Sequence, residues 1–374
     1  MAAKVRILIV GGYGAFGARA AERLARDADL QVIIAGRSLV KAQAAAAGLA
    51  SRSRAVVLAA TVDATAADVT ALRDLAPVVV LNASGPFQLQ DTSLARAAIA
   101  IGAHYIDLAD AADFVLGFAA DADLDARARA GGVLCVSGAS TVPAISSAIL
   151  DHFAPYFGRL DAMRYGLSPG NHFDPGPATT ASILAGLGKP FATKRDGSWT
   201  TVHGWQGLSQ HRFPTIGKRW LGCCNVPDPQ LFAARYPSLR TIDFRAGVEV
   251  SLFHLGLWAL SWPSRWGMIA HPQRLATPLL AAKRWLSFLG TDVGCMFVEF
   301  TGTDARGEPQ AITWHLTARQ GHGPYIPTTP AVILAKKLAH GANAERGARA
   351  CVGLVTLSEI ERELADLDIR MSLS

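Results

Sequence analysis

The amino-acid sequence predicts an α/β protein, in which a doubly wound parallel sheet is followed by a second domain of mixed α+β structure. Short β-branched runs alternate with alanine-rich stretches over the first 140 residues, and a glycine-rich loop follows the first run. After Gly138 the regular alternation ends, and irregular segments rich in Pro, Gly and Trp follow. The chain has 374 residues, half of them hydrophobic, which is long enough for two domains.

Six segments have the length and composition of buried strands: residues 5–10, 31–36, 55–60, 78–83, 104–109 and 133–138. Helices are predicted between them, near residues 15–28, 38–50, 65–75, 91–101 and 113–130. Six strands with intervening helices complete a dinucleotide-binding domain of the Rossmann type, which we place at residues 1–139.

Residues 140–325 are predicted to form the second domain, which would bind substrate and contribute a dimer interface. Its clearest element is a hairpin formed by MFVEFTGTD and PQAITWHLTAR, because apolar and polar residues alternate along the second segment. The domain is therefore expected to contain a mixed or antiparallel sheet.

The net charge of +6 is distributed unevenly. Residues 189–290 hold 13 Lys and Arg against four Asp and Glu, together with seven of the eight tryptophans. This pattern is typical of a solvated basic face over a Trp-containing core or dimer interface; the alternatives are an anionic or bulky apolar substrate, or a membrane surface. No nucleic-acid-binding motif accompanies the basic residues, so nucleic acid is not an expected partner.

Several function classes lack their sequence signatures. The five cysteines form no CxxC pair, and neither HExxH nor a Cys/His cluster occurs, so no metal is expected. The apolar stretch at residues 248–262 is interrupted by Glu249 and His254 and is shorter than the roughly 20 residues that span a bilayer. With no signal-peptide pattern at the N-terminus, a cytoplasmic location is expected.

The segment VGGYGAFG places a GxGxxG pattern where the first strand meets the first helix. In this context the first glycine permits a tight turn, the second lets the backbone approach a pyrophosphate, and the third allows close packing of helix on strand. The helix N-terminus then offers N–H groups to the phosphates. The predicted cofactor loop comprises Gly12, Tyr13, Gly14, Ala15, Phe16 and Gly17.

The second predicted strand leads into Arg37 and Ser38, and Arg37 lies 20 residues after Gly17. An NAD site usually has an acidic residue near this position, whereas a guanidinium can bind a 2′-phosphate through two hydrogen bonds. We therefore predict NADP rather than NAD, with contacts from Arg37 and Ser38. Asp63, after the third strand, either bonds the adenine or caps the helix that follows.

A sharp turn is predicted at NASGPF, residues 82–87, where the carboxyl end of the sheet should meet the nicotinamide half of the cofactor. Contacts are expected from Ser84, Gly85 and Pro86.

Candidate proton-transfer groups come next in the chain. The fifth strand is expected to deliver His104, Tyr105 and Asp107 to this edge. The alternatives are a core aromatic for Tyr105 and a helix cap or backbone tether for Asp107. His172 could pair with Asp174 as acid and base, or belong to a turn. A structural role is favoured for His315, and no Tyr has a Lys four residues later, which argues against the short-chain dehydrogenase mechanism.

The segments GGYGAFG, NASGPFQLQDTSLARAAIAIGAHYIDLAD and SGASTVPAISSAIL together resemble the saccharopine dehydrogenase-like, or saccharopine reductase-like, oxidoreductases. In that family a Rossmann domain is followed by a Gly-Pro-aromatic turn, a Gly-x-His-Tyr-x-Asp strand and a helix into a mixed α/β domain. The resemblance covers residues 1–150 and reappears in GHGPYIPTTPAVILAKKL. It implies C-terminal helices, residues 326–374, that return to the nucleotide domain.

The same resemblance implies NADP(H)-linked hydride transfer at the glycine loop and the Gly85-Pro86-Phe87 turn. It does not imply saccharopine as substrate, because the sequence shows no cluster of arginines for an amino-acid diacid. The basic, Trp-rich middle is similar to relatives that act on lipid-linked or bulky apolar substrates, including trans-acting enoyl reductases.

The sequence therefore predicts an NADP(H)-dependent oxidoreductase that transfers a hydride to or from a C=N, C=O or C=C bond of an apolar, bulky or anionic small molecule. A homodimer is expected, and peripheral membrane contact stays open. The alternative is a non-catalytic NADP-binding protein of the same fold that acts as a sensor or at a membrane or partner surface.

Overall fold

The computed structural model describes residues 4–374, which form two compact units. One unit comprises the chain up to Ala148 together with Pro324–Leu364, and the other comprises Ile149–Gly323 and Ala365–Ser374. Each unit is built on its own sheet.

The strands, in chain order, are β1 (Val5–Val10), β2 (Leu30–Gly36), β3 (Val56–Thr61), β4 (Val79–Asn82), β5 (His104–Asp107), β6 (Leu134–Ser137), β7 (Arg159–Ser168), β8 (Pro190–Arg195), β9 (Ser198–His203), β10 (Ser209–Phe213), β11 (Gly217–Cys223), β12 (Thr241–Ala246), β13 (Gly294–Thr303), β14 (Pro309–Ala318), β15 (Gly347–Ala350) and β16 (Ile369–Leu373).

The α-helices are α1 (Ala15–Leu24), α2 (Leu39–Ala50), α3 (Val69–Leu75), α4 (Ser93–Ala100), α5 (Ala112–Ala120), α6 (Ala122–Ala130), α7 (Ser146–Phe153), α8 (Gly176–Ala185), α9 (Asp228–Arg235), α10 (Ser251–Arg265), α11 (Ala276–Trp285), α12 (Thr329–Ala339) and α13 (Leu357–Leu364).

The first unit contains a seven-stranded parallel sheet in the order β15-β6-β5-β4-β1-β2-β3. Read from β3, this is the 3-2-1-4-5-6 order of a doubly wound dinucleotide-binding fold, with β15 added at one edge. The middle of β1, at Ile7, Leu8 and Ile9, has no exposed surface, as expected for a strand covered on both faces. The predicted fold class is confirmed.

The order of strands also locates the ligand edge. The chain crosses from β3 on one side of β1 to β4 on the other. Ligands of such sheets bind outside the carboxyl ends of the strands at this reversal. The glycine loop after β1 and the turn after β4 both lie there, because Val10 pairs with Asn82 at the end of both strands.

One helix and one strand of the first unit differ from what the sequence predicts. The single helix expected at residues 113–130 is two helices, because Asp121 ends α5 and its side chain accepts from the Leu124 N–H to cap α6. The seventh strand, β15, was not predicted. Helix α13 begins with a capping box: the Thr356 N–H donates to Glu359 Oε2 and the Glu359 N–H donates to Thr356 Oγ1.

The second unit contains a mixed sheet of nine strands in the order β10-β11-β12-β7-β13-β14-β16, with β8 paired to β12 and β9 paired to β8. Strands β7 and β12 run parallel and the other pairs run antiparallel. The predicted hairpin is confirmed as β13 and β14.

The expectation of helices to residue 374 is wrong at its end, because Ile369–Leu373 pairs with β14 as β16. The apolar Ile369, Met371 and Leu373 alternate with polar residues there, which favours a strand over a helix. The apolar stretch at residues 248–262 falls mostly within α10. In residues 4–374, no helix combines the length and hydropathy needed to cross a bilayer.

Candidate functional site

The glycine loop turns at Gly11, one residue before the predicted motif. Gly11 has φ of +80°, and a Cβ there would lie 2.8 Å from the backbone of Ala83 and Ser84. A Cβ on Gly17 would lie 2.2 Å from the Gly11 carbonyl oxygen. Both positions therefore require glycine. The doubled glycine after Val10 was the only sequence signal for Gly11.

The middle of the loop is open. A Cβ on Gly14 would meet only the Gly11 carbonyl oxygen, at 3.1 Å. Helix α1 begins directly after it with Ala15 and Phe16, no side chain caps the helix, and its first turn has no acidic residue. This end of α1 therefore carries partial positive charge next to backbone that can be closely approached, which fits a pyrophosphate.

The carboxyl end of β2 is covered by Tyr13. A Cβ on Gly36 would lie 2.6 Å from the Tyr13 ring, and the Ser38 N–H donates to the Tyr13 hydroxyl over 3.2 Å. Ser38 Oγ accepts from the Lys41 N–H and thereby caps α2. Arg37, between them, is exposed to solvent. Its guanidinium is thus accessible beside the glycine loop.

Asp63 is not the helix cap. Its carboxylate accepts from the N–H and the hydroxyl of Thr65, at 2.9 and 2.8 Å, whereas α3 is capped by Asp68, which accepts from the Thr70 N–H. The capping alternative for Asp63 is therefore wrong, because the helix starts six residues later. The Thr65 hydrogen bonds, and to a smaller degree the charge of Arg37, hold the pKa of Asp63 below its ordinary value. A carboxylate thus lies within electrostatic reach of Arg37.

The turn after β4 is organised by Asn82, a residue that sequence reasoning missed. Asn82 Oδ1 accepts from the Ser84 N–H over 3.0 Å, and Asn82 Nδ2 donates to Gln90 Oε1 and to the Tyr105 hydroxyl at 3.0 and 3.1 Å. The Gln90 amide in turn donates to the Ser84 carbonyl. These bonds fix the backbone of the turn where the nicotinamide half is expected.

In the rest of this turn, Gly85 is open to solvent and Phe87 is anchored in the core. Gly85 is exposed, and a Cβ there would meet nothing closer than 3.9 Å. The Gly85–Pro86 peptide is cis. Phe87 is buried, and its ring packs 5.5 Å from the ring of Phe114. The predicted cofactor contacts of Ser84, Gly85 and Pro86 thus belong to a turn that is anchored by the residues around it.

His104 does not lie at the predicted edge. It is the first residue of β5 and pairs with Val79 at the start of β4, while Asp107 pairs with Asn82 at the other end. Three residue steps along a strand separate them by about 10 Å. His104 Nδ1 accepts from the Leu134 N–H over 2.9 Å, and burial lowers the pKa of His104. The predicted catalytic placement of His104 at the cofactor edge is therefore wrong.

Tyr105 and Asp107 are enclosed in the first unit. The Tyr105 ring stacks on Phe118, and its hydroxyl accepts from Asn82. Asp107 Oδ1 accepts from the Ala109 N–H, the Ser137 hydroxyl and the Gly138 N–H, at 3.0, 3.0 and 2.9 Å. Burial raises the pKa of Asp107 to about 6. These contacts match the alternative roles named for the two residues, a core aromatic for Tyr105 and a backbone tether for Asp107.

His172 belongs to the second unit and does not form the pair predicted for it. Its side chain is exposed, and its N–H donates to the Thr291 carbonyl. Asp174 instead accepts from the Gly176 N–H over 2.9 Å and from Arg284 over 2.7 Å.

The second unit also brings together three titratable side chains that the sequence does not place near each other. His211 Nδ1 lies 3.3 Å from Glu299 Oε1, and the Nε2 atoms of His211 and His315 are 3.1 Å apart. The His211 ring stacks on Phe297. The hydrogen bond from His211 lowers the pKa of Glu299, and burial lowers that of His315. This cluster, Glu299-His211-His315, connects a partly exposed carboxylate to a buried imidazole.

Comparison with known proteins bears on the first unit. Residues 7–136 match the family described as the saccharopine dehydrogenase NADP binding domain. The comparison with curated proteins finds no match.

Among solved structures, the apo saccharopine dehydrogenase (L-Glu forming) from Saccharomyces cerevisiae is similar, with a TM-score of 0.68 and 16% identity over 99% of this chain and 100% of that one. That likeness shows a shared fold. An amine dehydrogenase from Mycobacterium smegmatis matches with a TM-score of 0.47 and 12% identity, over 93% of this chain and 94% of that one.

The family match covers the strands and loops that build the candidate site, and the glycine loop fits the cofactor that the family description names. An NADP-binding domain of dehydrogenase type supports an oxidoreductase. Residues 7–136 are thus an NADP-binding domain of the kind described for saccharopine dehydrogenases.

Proposed function

We propose that the protein is an NADP(H)-dependent oxidoreductase that transfers a hydride between the cofactor and a C=N, C=O or C=C bond. The observation that carries this proposal is the match of residues 7–136, together with a glycine loop that is open where phosphates must approach. When bound, the nicotinamide supplies or accepts the hydride. In this chain, residues 11–17 would hold the pyrophosphate, and residues 82–87 the nicotinamide half.

Arg37 is proposed to bind the 2′-phosphate. In Arg37→Ala we expect the NADPH dissociation constant to rise about tenfold or more, because a charge-assisted hydrogen-bond pair is lost, while NADH binding changes little. Fluorescence titration with both cofactors measures this. Arg52→Ala is the matched control, since Arg52 is also exposed and lies just after α2. An unchanged preference for NADPH over NADH in Arg37→Ala would contradict the assignment.

The substrate is proposed to be bulky, apolar or anionic. This is supported by residues 189–290 of the second unit, which combine a basic excess of nine with seven tryptophans. Aromatic rings offer large apolar contact area and arginines bind carboxylates or phosphates, so both parts of such a substrate have matching chemistry here.

The Glu299-His211-His315 cluster is proposed as an acid–base group for the substrate. Reduction of a C=O or C=N bond consumes a proton as well as a hydride. Glu299 is partly exposed and can exchange protons with water, and His211 links it to His315. For an active substrate, His211→Gln should lower kcat/KM by about a hundredfold, with NADPH affinity unchanged. Equal kcat/KM and an equal pH profile in His211→Gln would assign the cluster a purely structural role.

The test of the overall proposal has two stages. NADPH binding is measured by fluorescence, and oxidation of bound NADPH is then followed with a panel of imines, enals and ketones. Turnover of any class supports the proposal and identifies the reacting bond. Binding without turnover of the panel would favour the alternative, a non-catalytic NADP-binding protein. One observation favours that alternative: Tyr105 and Asp107, predicted to be catalytic, make structural contacts.

A further inference from the structure

Residues 250–291 of the second unit combine basic and aromatic side chains without any acidic one. These 42 residues contain four Arg and Lys, four of the eight tryptophans, and no Asp or Glu. They form α10, α11 and the turns that follow each helix. Nine of the eighteen large apolar side chains that are exposed in residues 4–374 belong to this segment.

Helix α10 presents apolar side chains to solvent as well as to the core of its unit, where Leu257 and Leu260 pack. Leu252 and Leu255 are exposed, and Ala259 lies on the same face at helical spacing and is also exposed. His254 and Ser261 are the residues of α10 that are fully buried. A helix at a water interface normally buries its apolar face, so the exposed face of α10 is suited to an apolar surrounding.

The turns after α10 and α11 extend this apolar character with larger side chains. Trp266 is 66% and Met268 is 74% exposed after α10, while Trp285 at the end of α11 is 86% and Phe288 is 75% exposed. Aromatic side chains of this kind are enriched where protein meets the headgroup region of a bilayer. Single exposed apolar residues need no explanation, but a concentration within one segment does.

All charged side chains within residues 250–291 are basic. Arg265 and Arg274 are exposed, and Arg284 forms an exposed ion pair with Asp174, over 2.7 Å. Glu249, just before the segment, is engaged by Arg219 over 2.9 Å in a pair with little exposure. A second copy of the chain seated on this segment would bring like charges together, whereas anionic headgroups complement them.

We propose that residues 250–291 dock onto the surface of an anionic phospholipid bilayer, with α10, α11 and the tryptophans at the headgroup level. We infer peripheral docking, because the exposed apolar side chains lie on two short helices and the turns after them. This inference does not depend on the proposed reaction, since NADP binding involves the other unit.

The test is flotation of the full-length protein with vesicles of phosphatidylcholine alone or mixed with phosphatidylglycerol. Binding to the mixed vesicles is expected, with loss at high salt because the charge component is screened. Trp285→Ser combined with Phe288→Ser should weaken binding about tenfold or more, and Arg274→Glu severalfold. Trp199→Ser is the matched control, since Trp199 is also exposed in the second unit but lies on β9, outside the segment.

NADPH affinity and far-ultraviolet circular dichroism of each variant show whether it is folded. Should the double variant not fold, quenching of wild-type tryptophan fluorescence by brominated lipid is still expected and provides the second readout. The proposal is overturned if the wild type floats with neither vesicle, or if the folded double variant binds like the wild type. A third outcome would also overturn it: the wild type is a dimer that binds no vesicles, and the double variant is a monomer. This face would then be an interface between two copies of the chain.

Discussion

Gly17→Ala is expected to destabilise the first unit by about 2–4 kcal/mol and to abolish NADPH binding. The new Cβ would lie 2.2 Å from the Gly11 carbonyl oxygen, so α1 and the loop must separate. Backbone on both sides of the contact leaves no flexible side chain to move aside, and overpacking of this kind costs several kcal/mol. The same displacement moves the end of α1 away from the phosphates. Urea denaturation and NADPH titration measure the two effects.

Gly48→Ala is the matched control for that substitution. Gly48 lies within α2, is exposed, and an added Cβ would meet nothing within 4 Å. Alanine is favoured over glycine in a helix by about 0.5–1 kcal/mol, so this variant should be slightly more stable than the wild type and bind NADPH equally well. A Gly17→Ala protein with wild-type stability and affinity would show that the close contact is not required.

Asp107→Asn is expected to change how stability depends on pH. Burial raises the folded-state pKa of Asp107 to about 6, while the unfolded value is about 3.9. The folded protein therefore binds this proton more tightly than the unfolded chain. The resulting stabilisation is present below about pH 4 and is lost as the pH rises through about 6. A shift of about two units corresponds to about 3 kcal/mol.

Asparagine cannot ionise but retains an oxygen that can accept from Ala109, Ser137 and Gly138. The free energy of unfolding of Asp107→Asn, relative to wild type, should therefore rise by about 3 kcal/mol from about pH 4 to about pH 7. Denaturation of both proteins at both pH values tests this. Asp63→Asn provides the contrast, because the pKa of Asp63 is lowered and its relative stability should change in the opposite direction. A pH-independent difference for Asp107→Asn would contradict the expectation.

Local patterns made the first unit largely predictable. Runs such as VRILIV, with glycines directly after them, specify a buried strand and its loop within about a dozen residues, and their repetition specifies the parallel sheet. The seventh strand escaped prediction because Gly347–Ala350 reads GARA, which has no β-branched residue and depends on pairing with β6 for its structure.

The candidate site was less predictable than the fold. Its prediction requires knowing at which end of a strand a residue lies and which residues far apart in sequence come into contact. His104 and Asp107 were correctly placed in one strand, but His104 is the first residue of both the predicted and the observed strand and therefore lies at its amino end, away from Asp107. His211 and Glu299 come from strands far apart in sequence, so no spacing could bring them together. For α10, periodicity identifies an apolar face, while the tertiary structure decides whether that face is covered.

The contact of Gly11 with Ala83 and Ser84 has a consequence for how such a site can diversify. At this contact no side chain separates the loop that would hold the phosphates from the turn that would hold the nicotinamide. Substitution of side chains elsewhere can then change which substrate binds without changing the distance between the phosphate loop and the nicotinamide turn. The position of the cofactor thus depends on the glycines, whereas substrate selection can change independently of them.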